Sequence, residues 1–256
     1  HYVEVVAPRV SHPEVIDETS RARIYRGMIL HNDGAPAKRV DDAVASFNRI
    51  GEWLAAHPDA LRARVPKEHL LNGAMNAIVG GTDLYGHLVW AERYENFGPV
   101  AAHPLDAAEA LAIRMKTMET VRFLQARANR DRGNVTRYKQ VYIIDVGRLQ
   151  LSNLLWNRAV RAITFSIIAG SDSYYPETMW RCYVINAPAI FRAVHAAVKP
   201  FIHPVTRDKI AVLGHGPDAY LPEMAKRGVP RTAVPRSLGG DAPDVKLHDA
   251  AADLLG

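Results

Sequence analysis

Apolar residues recur along this chain in two rhythms. The slower one is helical. Val40, Ala43, Val44, Phe47, Ile50 and Leu54 form a single stripe, which predicts a helix over 40–56. Asp41 and Asp42 fall in the first turn of that helix, and His57-Pro58 ends it. A long amphipathic helix is predicted over 105–127. A strongly apolar one (Leu151, Leu154, Leu155, Ala159, Ile163, Ile167) is predicted over 151–170, broken by Ser171-Asp172-Ser173. Residues 20–30 and the segment around Leu221 and Met224 also read as helical. The faster rhythm is that of strands. Short β-prone runs at 87–91, 141–146, 181–185 and 210–213 are each bounded by turn residues. Residues 1–20 read as irregular with a short extended piece at 2–6, 57–80 as loop and short helix, and 32–36 and 80–86 as turns. The tail from Asp241 has no clear pattern.

The stretch 174–214 carries the most organised pattern. An apolar run at 181–185 is stopped by Asn186-Ala187-Pro188, with Pro188 suited to a first helical position. Ile190, Phe191, Val194, Val198 and Phe201 then share one helical face, while Arg192, His195 and Lys199 share the other. Pro200 and Pro204 end this helix, and a polar turn, Thr206-Arg207-Asp208-Lys209, leads into the run at 210–213. Strand, helix, strand in this order predicts a right-handed crossover between parallel strands, and hence an α/β fold.

Composition narrows the picture. With 256 residues, 48% of them hydrophobic, the chain can build one large α/β domain, or a small helical domain and a larger one. It starts at His1, as a processed chain or an excised region would. No stretch has the apolar run of a secretory signal or the roughly 18 apolar residues of a transmembrane helix. The single cysteine, Cys182, excludes an internal disulfide and a cysteine-based zinc site. The net charge of +5 is spread along the chain without the basic and aromatic interleaving of a nucleic-acid surface.

Motifs for catalysis are missing: no HExxH, GxSxG, P-loop or GxGxxG after a strand. Asp145 at the end of a strand is open to a catalytic or a capping reading, and capping is the simpler one. The chain is therefore read as a non-enzyme with no cofactor and no metal site.

Tyr174-Tyr175-Pro176-Glu177, then Ile185-Asn186-Ala187-Pro188, Lys199-Pro200-Phe201, and Thr206 and Lys209 before a short strand ending in Leu213-Gly214 stand in an order that closely resembles the CRAL-TRIO lipid-binding family. That family includes the phosphatidylinositol/phosphatidylcholine transfer proteins and the retinaldehyde- and tocopherol-binding proteins. Asp145 with Gly147, and Pro235, Leu238, Gly239 and Gly240, extend the match, as do Val40, Ala43, Phe47 and Trp53 more weakly. The resemblance implies a small N-terminal helical segment (1–76) followed by a lipid-binding domain (77–245). In the latter, a mostly parallel mixed sheet flanked by helices encloses a hydrophobic lipid cavity with a mobile gate helix.

The resemblance also implies roles for residues. The helix bearing Ile190, Phe191, Val194, Val198 and Phe201 becomes the gate, where periodicity alone also allows an ordinary amphipathic crossover helix. Glu177, Thr206 and Lys209 fall at inositol-phosphate headgroup positions, against the alternative of a surface salt bridge and a helix cap. Two departures stand out: Thr178 occupies a position where phosphatidylinositol-binding members often place arginine, and 32–36 interrupts an upstream basic pair. At the positions of a phosphatidylcholine site stand Gln140, Tyr142 and Trp90, whose aromatic rings suit either a choline or the core.

The expected function is that of a cytoplasmic lipid carrier that visits membrane surfaces peripherally. It would sequester and exchange a phospholipid, phosphatidylinositol first, with phosphatidylcholine or another lipid as further cargo, and would not bind nucleic acid. The alternatives are a carrier of a sterol, tocopherol or retinoid, a lipid-sensing regulatory module of a larger membrane-trafficking protein, and an α/β enzyme with an unrecognised site.

Overall fold

The computed structural model describes residues 5–31, 36–103, 105–133, 137–149, 157–201 and 204–255. Helices α1 (Glu18–His31) and α2 (Pro36–Ala56) form an N-terminal pair around Ile16, Ile24, Val44, Phe47 and Ile50, and α3 (Glu68–Met75) leads into the sheet. Strand β1 (Ala77–Thr82) turns back antiparallel into β2 (Leu88–Arg93). The short α4 (Gly98–Ala102) and the long α5 (Ala107–Asp131) then return the chain to β3 (Gln140–Asp145). Helix α6 (Arg158–Tyr174) precedes β4 (Met179–Ile185). Helices α7 (Ala189–Val198) and α8 (Pro204–Arg207) precede β5 (Ile210–Val212). After α9 (Pro217–Ala225), a two-residue β6 (Val245–Lys246) pairs antiparallel with β1 and opens into α10 (Leu247–Leu255).

The six strands lie in the order β5-β4-β3-β2-β1-β6, with β2 to β5 all parallel. This is the expected mostly parallel mixed sheet flanked by helices. Period-2 alternation divides its side chains between two faces. Val89, Ala91, Val141, Ile143, Tyr183 and Ile185 face one side, where Tyr220, Met224, Val229, Ala233, Val234 and Leu238 from the 217–240 segment seal them. Leu88, Trp90, Tyr142, Ile144, Cys182 and Val184 face the other. There α5 and α10 cover the β1–β2 end through Met115, Met118, Val121, Leu247 and Ala250.

Several elements differ from the pattern-based expectation, each for a local reason. Residues 80–82 belong to β1 rather than to a turn. A Cβ on Gly80 would stand 2.2 Å from the Ala233 carbonyl oxygen, so the strand is glycine-rich because another backbone lies against it. The turn itself is confined to 83–86, where the Asp83 carboxylate accepts from the Tyr85 and His87 amides at 2.9 and 2.8 Å. Helix α6 runs straight through Ser171-Asp172-Ser173. The Ser171 hydroxyl donates to the Ile167 carbonyl (2.8 Å) and accepts from Arg114 Nε (2.7 Å), so tertiary bonding absorbs the polar residue that reads as a breaker. The first part of the helix expected over 151–170 lies outside the described residues up to 156, as do residues 2–4 of the expected extended piece.

Helix starts shift too. Because α2 begins at Pro36, Asp41 and Asp42 lie beyond its first turn. Helix α5 starts at Ala107, behind a reciprocal cap in which Asp106 accepts from the Glu109 amide (2.7 Å) and Glu109 from the Asp106 amide (2.9 Å). Pro188 is the cap of α7 rather than its first residue, Pro200 sits in a 3-10 turn at Lys199–Phe201, and Pro204 starts α8, which takes in Thr206 and Arg207 of the expected turn. No helix among the described residues is long and apolar enough to cross a membrane.

Candidate functional site

The face of β3, β4 and β5 turned away from the 217–240 segment is apolar and incompletely covered. Cys182 and Val184 are buried in it, while Tyr142, Ile144, Ile210 and Val212 remain half-buried. Phe191, from the first turn of α7, packs onto this cluster, together with Leu149 and Met179. Ile190, its neighbour, points outward and is 60% exposed. Helix α7 thus presents one large apolar side chain to the sheet and one to the surroundings. The side chains of Val194, Val198 and Phe201 lie outside the described residues.

The junction before α7 is tightly fixed. Asn186 takes a left-handed backbone (φ 54°), donates from Nδ2 to Asp145 Oδ1 (2.8 Å) and accepts the Gly216 amide (3.0 Å). Asp145 also accepts the Gly147 amide at 3.0 Å, a capping role at the strand end. Gly147 is glycine because a Cβ there would stand 2.9 Å from Asn186 Cβ.

At the opposite ends of the same strands a charged cluster assembles. Three parallel neighbours begin within a few residues of Lys139 (before β3), Glu177 (before β4) and Lys209 (before β5), so strand pairing alone brings these side chains to one sheet edge. Gln140 N donates to the Thr178 carbonyl (2.7 Å) and Cys182 N to the Lys209 carbonyl (2.9 Å), fixing the register there. Lys139 Nζ donates to Glu177 Oε2 at 2.8 Å, and Lys209 Nζ to Glu177 Oε1 and Oε2 at 3.3 and 3.2 Å. The three side chains are 9% (Lys139), 14% (Lys209) and 3% (Glu177) exposed. Burial holds the Lys139 ammonium below the usual lysine range. Glu177 works against that shift, while the charges of Lys209 and Arg26 add to it.

Glu177 is set by a strained backbone, φ 58°, and helix α1 buttresses the turn around it. Arg23 donates to the Tyr174 and Pro176 carbonyls at 3.2 Å each, and a Cβ on Gly27 would stand 3.3 Å from Glu177 Cγ. Thr178 closes the turn by donating to the Tyr175 carbonyl (3.0 Å). Thr206 sits half-buried in α8, its carbonyl accepting the Lys209 amide (3.1 Å). Sequence reading identified Glu177, Thr206 and Lys209 but passed over Lys139 and Arg26. Both are isolated basic residues, distant in sequence from Glu177, and only the strand-end position of Lys139 hints at its place.

Gln140, Tyr142 and Trp90 lie together on adjacent strands. Trp90 stacks on Tyr142 (centroids 4.5 Å apart, 19° between planes) and donates from Nε1 to Gln140 Oε1 (3.0 Å). Tyr142 donates its hydroxyl to Glu92 Oε2. The cation these rings face belongs to the chain itself: the Arg114 guanidinium lies 5.5 Å from the Trp90 ring and 5.9 Å from the Tyr142 ring. Arg114 Nη1 donates to Glu92 Oε1 at 2.5 Å. Burial works against the Arg114 charge, but Glu92, Tyr142 and Tyr94 together outweigh it and hold Arg114 above the usual arginine range. Burial, and then the Glu92 charge, push the Tyr142 hydroxyl up.

The site thus combines an apolar sheet face under a two-sided helix with a cluster of cations at the strand starts of the same sheet. The CRAL/TRIO domain matches residues 74–240, and the chain belongs to that family. It is similar to the SEC14 cytosolic factor of Candida glabrata, 41% identical over 84 residues, which make up 33% of this chain and 26% of that protein. It is also similar to the phosphatidylinositol/phosphatidylcholine transfer protein SFH11 of Arabidopsis thaliana, 34% identical over 99 residues, 39% of this chain and 25% of that protein. The matched stretches thus span about a quarter of these relatives. Among solved structures, the fold is similar to that of Sfh5, with a TM-score of 0.58 at 16% identity, covering 91% of this chain and 80% of that one. The family is one of lipid transfer proteins, not enzymes.

Proposed function

We propose that this protein binds a phospholipid, phosphatidylinositol first, and exchanges it at membrane surfaces without a cofactor. The observation that carries the reading is the union of two features on one sheet. A half-covered apolar face can take acyl chains, and the Glu177–Lys209 cluster at its strand edge can take an anionic headgroup. The relatives named as SEC14 cytosolic factor and as phosphatidylinositol/phosphatidylcholine transfer protein support it. In this reading Lys209 pairs with the phosphate, Thr206 donates its hydroxyl, and Glu177 orients Lys209 and the inositol hydroxyls. Helix α7 is the gate, and its outward Ile190 suits contact with a bilayer. Residues 1–76 are the helical entry segment and 77–245 the lipid-binding unit. Gln140, Tyr142 and Trp90, which have hydrogen bonds and a stack of their own, form the wall behind the chains. The protein works in the cytoplasm, touching membranes transiently.

Mass spectrometry of lipids extracted from the purified protein, with transfer between labelled vesicles, tests this. Phosphatidylinositol should co-purify and move between vesicles, and Lys209→Ala should lower both by about tenfold, as expected for a lost charge-assisted hydrogen bond. Failure to take up any phospholipid would sink the reading.

A further inference from the structure

We propose that Lys139 is a second headgroup cation, and that it makes the site selective for an anionic phosphodiester over a zwitterionic headgroup. The inference rests on the phospholipid-carrier reading and adds to it a residue from a different strand.

Three observations carry it. First, Lys139 approaches Glu177 more closely than Lys209 does, 2.8 Å against 3.2 Å, and is the more buried lysine. A lysine needed only for solubility would extend into water; this one is drawn inward at a cost in hydration. Second, the described charges at this point do not balance. Two ammonium groups meet one carboxylate, and Arg26 on α1 is near enough to add its field to theirs. A buried excess of positive charge is unfavourable by itself and is relieved by an anion. A phosphodiester supplies one negative charge. A phosphocholine supplies the same charge together with a quaternary ammonium that must then sit close to the lysines, so the cluster discriminates against it. Third, the position suits a headgroup: Lys139 immediately precedes β3, at the start of a strand whose Tyr142 and Ile144 belong to the half-covered apolar face, so an anion held there lies at one end of that face.

Glu177 then acts as a built-in stand-in for the ligand. Its carboxylate keeps both lysines aligned, and an arriving phosphate shares their protons. Thr178 takes no part in charge compensation, since its hydroxyl is used on the Tyr175 carbonyl.

The test is competitive uptake from vesicles of equimolar phosphatidylinositol and phosphatidylcholine, read by mass spectrometry of the recovered protein. Lys139→Gln should lower the phosphatidylinositol-to-phosphatidylcholine ratio by about tenfold, with the loss falling on phosphatidylinositol, whereas Lys139→Arg should stay within about threefold of the parent. Lys139→Met, which keeps the apolar stem, gives the same reading if Lys139→Gln does not fold. Calorimetry with inorganic phosphate separates a lipid site from a free-phosphate site: Lys139-dependent phosphate binding without lipid uptake overturns the assignment. A parental ratio in Lys139→Gln, alongside a lowered one in Lys209→Ala, overturns the role of Lys139 and leaves the carrier reading intact. If the parent protein takes up no phospholipid, both fall together.

Discussion

Glu177 is held where its chemistry is costly. Its backbone is left-handed, its side chain is almost fully buried, and two lysines bond to it. Removing one partner of a buried ionic group leaves the others uncompensated, which outweighs the strain relieved. Glu177→Ala is therefore expected to lower stability by about 3 kcal/mol, because it strands Lys139 and Lys209 together. Lys139→Gln, which leaves the Glu177–Lys209 pair, should have the smaller effect. Urea denaturation of both variants measures the difference, and a loss below about 1 kcal/mol for Glu177→Ala would mean the cluster is effectively solvated. At this scale the sequence was only partly informative. Glu177 and Lys209 stand in motifs that can be recognised in one dimension. Lys139 stands beside an ordinary apolar strand, and its pairing exists only once β3 and β4 are side by side.

Elements carry the next constraint, and the clearest case is the junction between β4 and α7. Asn186 serves it twice: asparagine tolerates a left-handed backbone better than most residues, and its amide ties the β3 and β5 ends together through Asp145 and Gly216. Two substitutions separate these roles. Asn186→Gly keeps the backbone and loses both bonds, for an expected loss of about 1–2 kcal/mol. Asn186→Val also forces a β-branched residue to positive φ and should lose about 1–3 kcal/mol more. Equal midpoints for the two in urea would show that backbone strain contributes nothing. The same scale explains what the apolar pattern could and could not reveal. Strands β2 to β5 are short apolar runs between turn residues and were legible. Strand β1 was hidden by Gly80-Gly81, whose small size answers the Ala233 backbone rather than a turn. Helix α6 outran its apparent breaker because Arg114, on another helix, bonds Ser171. The β6–α10 tail has two strand residues and a nine-residue helix, and its structure comes from packing on β1 and α5, which no local pattern reports.

Across the whole molecule the sheet has one sealed face and one that is half-covered, and Cys182 reports on the second. On β4 it alternates with Tyr183, so Cys182 lies in the cluster against which Phe191 packs while Tyr183 lies under the 217–240 segment. Burial, and then the nearby Glu92 charge, push the Cys182 thiol from its ordinary 9.0 up to about 12. Between those values the unfolded chain releases a proton that the native state keeps. This contribution to stability is therefore fully present below about pH 9 and is lost as the pH rises towards 12. The same shift lowers the thiolate fraction of the native state by about a thousandfold at pH 8, so a thiol reagent should label native protein very slowly and urea-unfolded protein fast. Phospholipid vesicles supply the surface on which a gate would lift. If α7 moves as a unit about the Asn186 junction, adding vesicles should speed Cys182 labelling without unfolding, and Phe191→Ala should speed it in buffer alone. Because Cys182 is the only cysteine, the signal is unambiguous. Transfer that proceeds while vesicles leave the labelling rate unchanged would rule out α7 as the route by which lipid enters.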